Sequence, residues 1–562
     1  PRGSRRRRVS APRRVRAGLV AAACAAALAG CVALPTSGPV VAGDGQVNEP
    51  EGIVVLAQGP QADAGPADIV EGFLLAGAAE VTGDFVVARE FLAGDARSEW
   101  DPTAGATVAR SVEFEATSET QVTVELDVVG KVDDGGRFAE TSAAARESAR
   151  FELVQDGDGD WRITHAPDGV IITPATMDQQ YRAVTLWFLT PDADMLVPEV
   201  RWFPQRDRNL PTAVVKALLA GPSPWLRDAV SSAVPAGVEL KPEAVLVEGG
   251  VAEVSLQPVG VVQEADRGLL LAQLEESLRP LGIASVQVRA GGVVLDGGAA
   301  DVPTATGGEL EVLAGGRVVS LTGSEPAPVD DVAAVEGAAP QGLARGRGDL
   351  RVALADPGTL VTVPAAGQPG EVLAAGAALA APSVDRHGWV WTARTSTAGP
   401  LVATRPGAAP VDVTGDWLAG RTVDALRVSA DGTRIAVVSS GPDGVSLDVA
   451  GVVRDESAAP LRLGAPVRAG ARLAPTGAVV WVDDVTLAVL AEDEAGTVPH
   501  LVPVSGRSTP LPVVAGAAAL AAGRGERTLH VVTADGELLR YDGRTWVTVP
   551  GATDVSGAAF PG

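Results

Sequence analysis

The chain has 562 residues but only two cysteines, Cys24 and Cys31, and three lysines, Lys131, Lys216 and Lys241. Two cysteines seven positions apart in an Ala-rich stretch cannot build a disulfide framework or a Cys-based metal site. The four histidines, His165, His387, His500 and His530, lie at least 30 residues apart, with no HxxxH or HExxH spacing, so nothing points to a zinc site. No GxSxG elbow is present. The one Gly-Lys pair, Gly130-Lys131, is followed by Val132 rather than Ser or Thr, which excludes a P-loop. Aromatic residues make up 4% of the chain. The longest apolar run, Ala17 to Leu28, is too short to cross a bilayer as a helix, which takes about 20 residues.

What is present is acid. The net charge is −25, and residues 1–30 hold eight arginines and no acid, so residues 31–562 carry −33. Such a surface repels nucleic acid and anionic headgroups. The arginines precede the apolar run, and the run ends in Leu28-Ala29-Gly30-Cys31. A basic segment, a short apolar segment and a small-residue cleavage site form a secretory signal. The cysteine after Leu-Ala-Gly resembles the lipobox of bacterial lipoproteins. That resemblance implies cleavage between Gly30 and Cys31, a diacylglyceryl thioether on Cys31 and acylation of its new amino terminus.

Residues 31–62 are rich in Pro and Gly and read as a lipidated flexible tether. Residues 63–176 open with two helical patterns. In the first, Asp68 is a candidate cap, with Ile69, Val70, Phe73, Leu74 and Gly77 on one face; the second runs from Asp84 to Phe91 or Leu92. Strands follow at Thr107–Phe114, Thr120–Val129, Ser148–Gln155 and Trp161–Ala166. The pattern is that of an NTF2-like α+β cone. Residues 177–302 form a second α+β unit, with strands Ala183–Leu189 and Leu196–Phe203 and a helix over Pro211–Ala220. A Val245–Glu248/Val251–Leu256 hairpin, a helix near Asp266–Arg279 and strands Ser285–Arg289 and Val293–Leu295 complete it.

From 303 to 562, short Val/Leu/Ala strands alternate with Gly and Asp. Related segments pass through Gly348, Gly388, Gly432, Gly477 and Gly525, at intervals of 40 to 48 residues. That period marks a β-propeller, here of five or six blades. The terminal Val555-Ser556-Gly557-Ala558-Ala559-Phe560 reads as a further inner strand, which would close the ring. Asp156-Gly157-Asp158-Gly159-Asp160 has the opening of a calcium loop, but Trp161 and Pro167 stand where that loop needs Gly and Glu, so a turn is expected. Arg347-Gly348-Asp349 spells an adhesion tripeptide inside the repeat, where Gly348 already has a structural use. Trp389, Trp391, Trp417 and Trp481 suit blade cores, or a sugar-stacking mouth. No catalytic, metal or cofactor-binding residue is expected.

Taken in order, these segments resemble the actinobacterial LpqB lipoprotein family. The lipobox is followed by Leu34-Pro35-Thr36-Ser37, then Ile69-Val70-Glu71-Gly72-Phe73-Leu74, Ala88-Arg89-Glu90-Phe91-Leu92 and Trp100-Asp101-Pro102. The middle unit resembles a GerMN module in Leu186-Trp187-Phe188, Leu196-Val197-Pro198-Glu199-Val200-Arg201, Ala217-Leu218-Leu219-Ala220-Gly221-Pro222 and Val251-Ala252-Glu253-Val254-Ser255-Leu256. The resemblance implies a non-enzymatic protein held by its lipid on the outer face of the cell membrane. It also implies a partner, the extracytoplasmic domain of the sensor kinase MtrB of the MtrA–MtrB system, and a role in envelope homeostasis and division. The alternative is a cell-wall glycan or peptidoglycan binder.

Cys31→Ser leaves no thiol to receive the diacylglyceryl group. Because stable anchoring takes more than one acyl chain, the variant should lose incorporation of a labelled fatty acid and leave the membrane fraction or persist as the longer precursor.

Overall fold

The computed structural model describes residue 3 and residues 57–562, apart from 82, 206–208, 296, 305–306, 322–325 and 494–495. The leader, Gly30, Cys31 and most of the tether therefore lie outside the described residues. Among those residues no helix is long and apolar enough to cross a membrane.

The first domain opens with α1 (Pro66–Ala79), which buries Ile69, Val70, Phe73, Ala76 and Gly77. Pro66 fixes the first turn, so the helix starts earlier than Asp68. The Asp68 carboxylate reaches back to accept the Gly65 N–H at 3.1 Å, as the third-position member of a capping box. The second expected helix shrinks to α2 (Val86–Glu90), because Phe85 takes a left-handed φ of 54° and ends any continuation upstream. A short α3 (Ala96–Glu99) follows.

The strands are β1 (Ala106–Ser118), β2 (Gln121–Val132), β3 (Phe138–Glu140), β4 (Arg146–Gln155), β5 (Trp161–His165) and β6 (Val170–Ile172). They are ordered β5-β4-β2-β1-β6, with β3 beside β2. All pairs are antiparallel except β1–β6. Alternate residues Val122, Val124, Leu126 and Val128 point into the core. There the rings of Phe73 and Trp100 meet edge to face at 4.9 Å, and Phe151 closes on Phe73 at 6.1 Å.

Helix α4 (Pro174–Gln180) leads into a separate two-stranded sheet, β7 (Tyr181–Leu189) with β8 (Leu196–Pro204). Beyond it come α5 (Leu210–Leu219), β9 (Glu239–Leu240), β10 (Leu246–Glu248), β11 (Val251–Gln257), α6 (Val259–Glu264), α7 (Arg267–Leu278), β12 (Ser285–Ala290) and β13 (Val293–Val294). Strands β11 and β12 are parallel, joined through α7, whose Leu270, Leu274 and Leu278 are buried. The Asp266 side chain caps that helix by accepting the Leu269 N–H at 3.0 Å.

Six four-stranded antiparallel sheets follow, so the propeller has six blades. Blades two to six span residues 341–375, 383–413, 422–469, 474–510 and 517–548. Blade one takes three strands from 311–328 and its inner strand from Val555–Ala559. That last strand pairs antiparallel with Glu311–Ala314 and closes the ring. The repeat is therefore real, but its register slips. Gly348, Gly388 and Gly432 occupy the turn after the first strand of blades two, three and four, at φ of 75–78°. Gly477 lies inside the first strand of blade five, beside a bulge, and Gly525 lies in a longer loop of blade six.

The domains share a core. Val197 of β8 and the following Trp225 and Leu226 pack with Ala436, Val438, Leu447, Val449, Val489 and Val502 of blades four and five. The approach is close. A Cβ on Gly451 would lie 2.8 Å from Ala229 Cβ and 3.1 Å from the Trp225 carbonyl oxygen. At Trp202 all three domains meet: its backbone N–H donates to Gly136 O at 2.6 Å and its indole N–H to Ser505 O at 2.9 Å. Phe138 N–H donates to Ser505 Oγ at 3.0 Å, and Ser508 Oγ donates to Glu140. Arg386 pairs with Asp192 and Asp194, Arg462 with Asp228, and Arg507 with Asp178.

Trp225→Ala should cost about 3–5 kcal/mol, and Gly451→Val about 1–3 kcal/mol. In both variants, calorimetry should resolve the propeller's unfolding from that of the middle domain, and the residue 297–308 connection should become a protease site.

Candidate functional site

The loops joining first to second strands gather at one face of the propeller, and two of them are built on buried carboxylates. Asp385 in blade three accepts four donors: the backbone N–H groups of His387 and Trp389, the Trp391 indole N–H at 2.9 Å and Arg454 Nη2 at 2.6 Å. Asp431 in blade four accepts Ser429 Oγ–H at 2.8 Å, the Thr433 N–H and hydroxyl, and the Arg434 guanidinium. Burial alone would raise the Asp431 carboxyl. The Arg434 charge and the Thr433 bonds outweigh it and hold the group below the usual carboxylate range. In each turn both carboxylate oxygens accept hydrogen bonds, which ties the turn to the residues around it.

The tryptophans support those turns rather than facing solvent. Trp389, Trp391 and Trp481 are buried, at 3%, 0% and 8% exposure, with Arg405 over Trp389 at 4.3 Å and Arg434 over Trp481 at 4.9 Å. Trp417 is half-buried, its indole N–H on Gly464 O. A sugar-stacking platform needs exposed ring faces, which Trp389 and Trp391 do not offer.

The remaining sequence candidates are equally engaged. Asp156 Oδ1 accepts the N–H groups of Asp158 and Asp160, and Arg162 lies 3.7 Å from both Asp156 and Asp160, so the segment is a charge-paired hairpin turn. Among the described residues no group of three His, Cys, Asp or Glu side chains is placed to hold a metal. Arg347 of the tripeptide turns toward the middle domain, 3.4 Å from Met195 Sδ. His500 Nδ1 and His530 Nδ1 bond backbone carbonyls of Val498 and Thr528. His387 is lowered by burial and by Arg454 and Arg386, and it borders a cavity of about 390 Å³ at the seam of blades three and four with the 191–192 turn.

Sequence reasoning did not single out the axial cavity, about 90 Å³, at the same loop face. Its wall carries Arg345, Arg427, Arg434 and Arg524 with Asp483 and Asp484. Arg434 Nη1 donates to Asp484 O at 2.6 Å, and Arg524 pairs with the Asp484 carboxylate. The Trp481 indole donates to Arg427 O at 3.1 Å. Arg427 is pushed down to about 10 by burial. The signal in the sequence is arginine at strand ends, Arg345, Arg427 and Arg434, with Arg524 in the loop beyond one, and the blade register is needed to see it.

His530 is pushed down to about 4: burial lowers it, the Thr528 carbonyl opposes this, and Arg540 lowers it further. In the unfolded chain an imidazole takes its proton near 6.5. Between those values the unfolded state holds the extra proton, so this contribution is complete above pH 6.5 and is lost as pH falls toward 4. His530→Gln should remove about 2 kcal/mol of the stability lost between pH 7 and pH 5, read as a smaller fall in unfolding midpoint.

Comparison with known proteins follows the same three-part order. Residues 59–178 match the lipoprotein LpqB N-terminal domain, residues 185–296 the Germane domain of sporulation and spore germination, and residues 316–561 the lipoprotein LpqB beta-propeller domain. Lipoprotein LpqB of Bifidobacterium longum is 29% identical across 79% of each chain. The Streptomyces avermitilis protein of that name is 27% identical, covering 86% of this chain and 87% of its own. The Thermobifida fusca one is also 27% identical, over 90% and 92%. Among solved structures, the nidogen/laminin complex aligns at a TM-score of 0.33 and 11% identity, over 45% of this chain and 98% of that one. With the N-terminal, Germane and propeller domains matched in sequence and seen in the fold, the chain belongs to the LpqB lipoprotein family.

Proposed function

We propose that this chain is an envelope lipoprotein, cleaved after Gly30, acylated on Cys31 and held on the outer face of the cell membrane, where its folded body serves as a non-enzymatic accessory to a sensor kinase. The partner implied by the resemblance is the extracytoplasmic domain of a kinase of the MtrB type, acting in envelope homeostasis and division. The observation that carries this reading is the shared core around Trp225. It seats the middle domain on the propeller, and the Trp202, Phe138 and Ser505 hydrogen bonds add the first domain, so the body can present a composite surface to a partner without first ordering itself. The turns between second and third strands lie on the propeller face opposite the middle domain, and Pro442 and Asp535 on them are exposed.

A photo-crosslinking residue at Pro442 or Asp535, in living cells, should yield an adduct with the kinase. Deletion of the gene should change phosphorylation of the cognate regulator. Absence of any adduct from either position, with kinase output unchanged on deletion, rejects the accessory role.

A further inference from the structure

Most charged groups on the axial cavity wall are already committed. Arg434 faces Asp431, and Arg524 faces Asp484. Asp483 Oδ1 accepts the N–H groups of Val485 and Thr486 at 2.8 and 2.7 Å. Glu311 holds two guanidiniums, Arg345 at 2.9 Å and Arg351 at 2.6 Å. Arg427 is the exception. Its Nη1 donates to Pro382 O at 3.1 Å, and among the described residues it has no carboxylate in ion-pair range. Of the four guanidiniums on the cavity wall, Arg345, Arg434 and Arg524 each face a carboxylate, and Arg427 does not.

The unmet demand is also visible in hydrogen bonding. The Nε–H groups of Arg345, Arg427 and Arg434 are all buried without a partner. All three side chains line the cavity, and a buried donor left unpaired costs about 1–3 kcal/mol. An isolated buried charge costs more. The cavity, at about 90 Å³, has room for a small ion or the charged end of a larger ligand. Guanidinium forks match the planar or tetrahedral oxygens of carboxylates and phosphates. The surrounding Ala521, Ala522 and Trp481 add apolar wall, which strengthens charge–charge attraction by excluding water.

We propose that the axial cavity of the propeller binds a small oxyanion, carboxylate or phosphate, with Arg427 as its principal counter-ion. This site is independent of the docking role above. In a chain this acidic it is a local exception, so generic screening by salt has to be separated from binding.

The test is titration calorimetry and thermal unfolding of the full chain with sodium phosphate and, in parallel, sodium acetate, each against sodium chloride at equal ionic strength. Saturable binding of either anion, with a rise in unfolding midpoint beyond the chloride control, is expected, and the tighter of the two assigns the group. Arg427→Gln should weaken that binding at least tenfold. It should also melt at or above the wild-type midpoint in chloride, since it removes a half-buried charge that has no carboxylate partner. A purely structural arginine would do the reverse, lowering the chloride midpoint and leaving the anion response in place. If neither anion binds the wild-type chain saturably, or if Arg427→Gln binds as well as wild type, the proposal is wrong.

Discussion

The seat of the middle domain on the propeller depends on the burial of Trp225, Leu226 and Val197 against blades four and five. Apolar burial has no direction, so by itself it would fix contact but not orientation. Orientation comes from polar groups that cross the seams: Arg386 with Asp192 and Asp194, Arg462 with Asp228, and Arg201, which Glu199 holds in place on β8 at 3.0 Å with both side chains almost fully buried. Arg201 also donates to Gly135 O of the first domain and Gly221 O of the middle one, and Glu199 accepts the Ser223 N–H. A buried pair contributes little net stability, but misaligned it is expensive. The apolar patch supplies the attraction, and the directional contacts across the seams reject other poses.

The elements within each domain were legible because their signals are local. Leu270, Leu274 and Leu278 share a helical face, Val122, Val124 and Leu126 alternate, and the blade glycines recur. The contacts between domains were not legible. Trp202 and Trp225 have the composition of ordinary core residues, and nothing local distinguishes a tryptophan buried in its own domain from one buried in the next. The slip at Gly477 has a similar cause. A bulge between Pro475 and Val479 lengthens the first strand of blade five, so the turn moves on to Asp483 and Asp484. In an Ala/Val-rich sequence the repeat has too little contrast to reveal the shift. The axial arginines were hidden for the same reason, since they come from three blades: Arg345 from blade two, Arg427 and Arg434 from blade four, and Arg524 from blade six. Asp68 shows the smallest error of this kind: the side chain caps its helix, but from inside the first turn.

Two faces of the propeller now have different standing. The face with first-to-second-strand loops carries the middle domain through Arg386 and Ser505, and the axial cavity opens among the same loops. The opposite face carries the short second-to-third-strand turns and has no other domain on it among the described contacts. An occupant of the cavity would sit beside the interdomain seam, since Arg434 lines both the cavity and a small gap against Glu199 and Trp225. Charge in the cavity and the fit of the middle domain therefore share a side chain.

The ring is sewn shut by its last strand. Val555–Ala559 is the inner strand of a blade whose other three strands come from the start of the propeller. A ribosome makes the chain from its amino end, so blade one waits with a bare inner edge, Glu311–Ala314, until nearly all the rest has been made. That edge is a template for wrong partners during the wait. A chain cut short before Val555 would lose far more than a tail. It would become an open, sticky sheet stack instead of a closed ring, and quality-control proteases would meet it in that form.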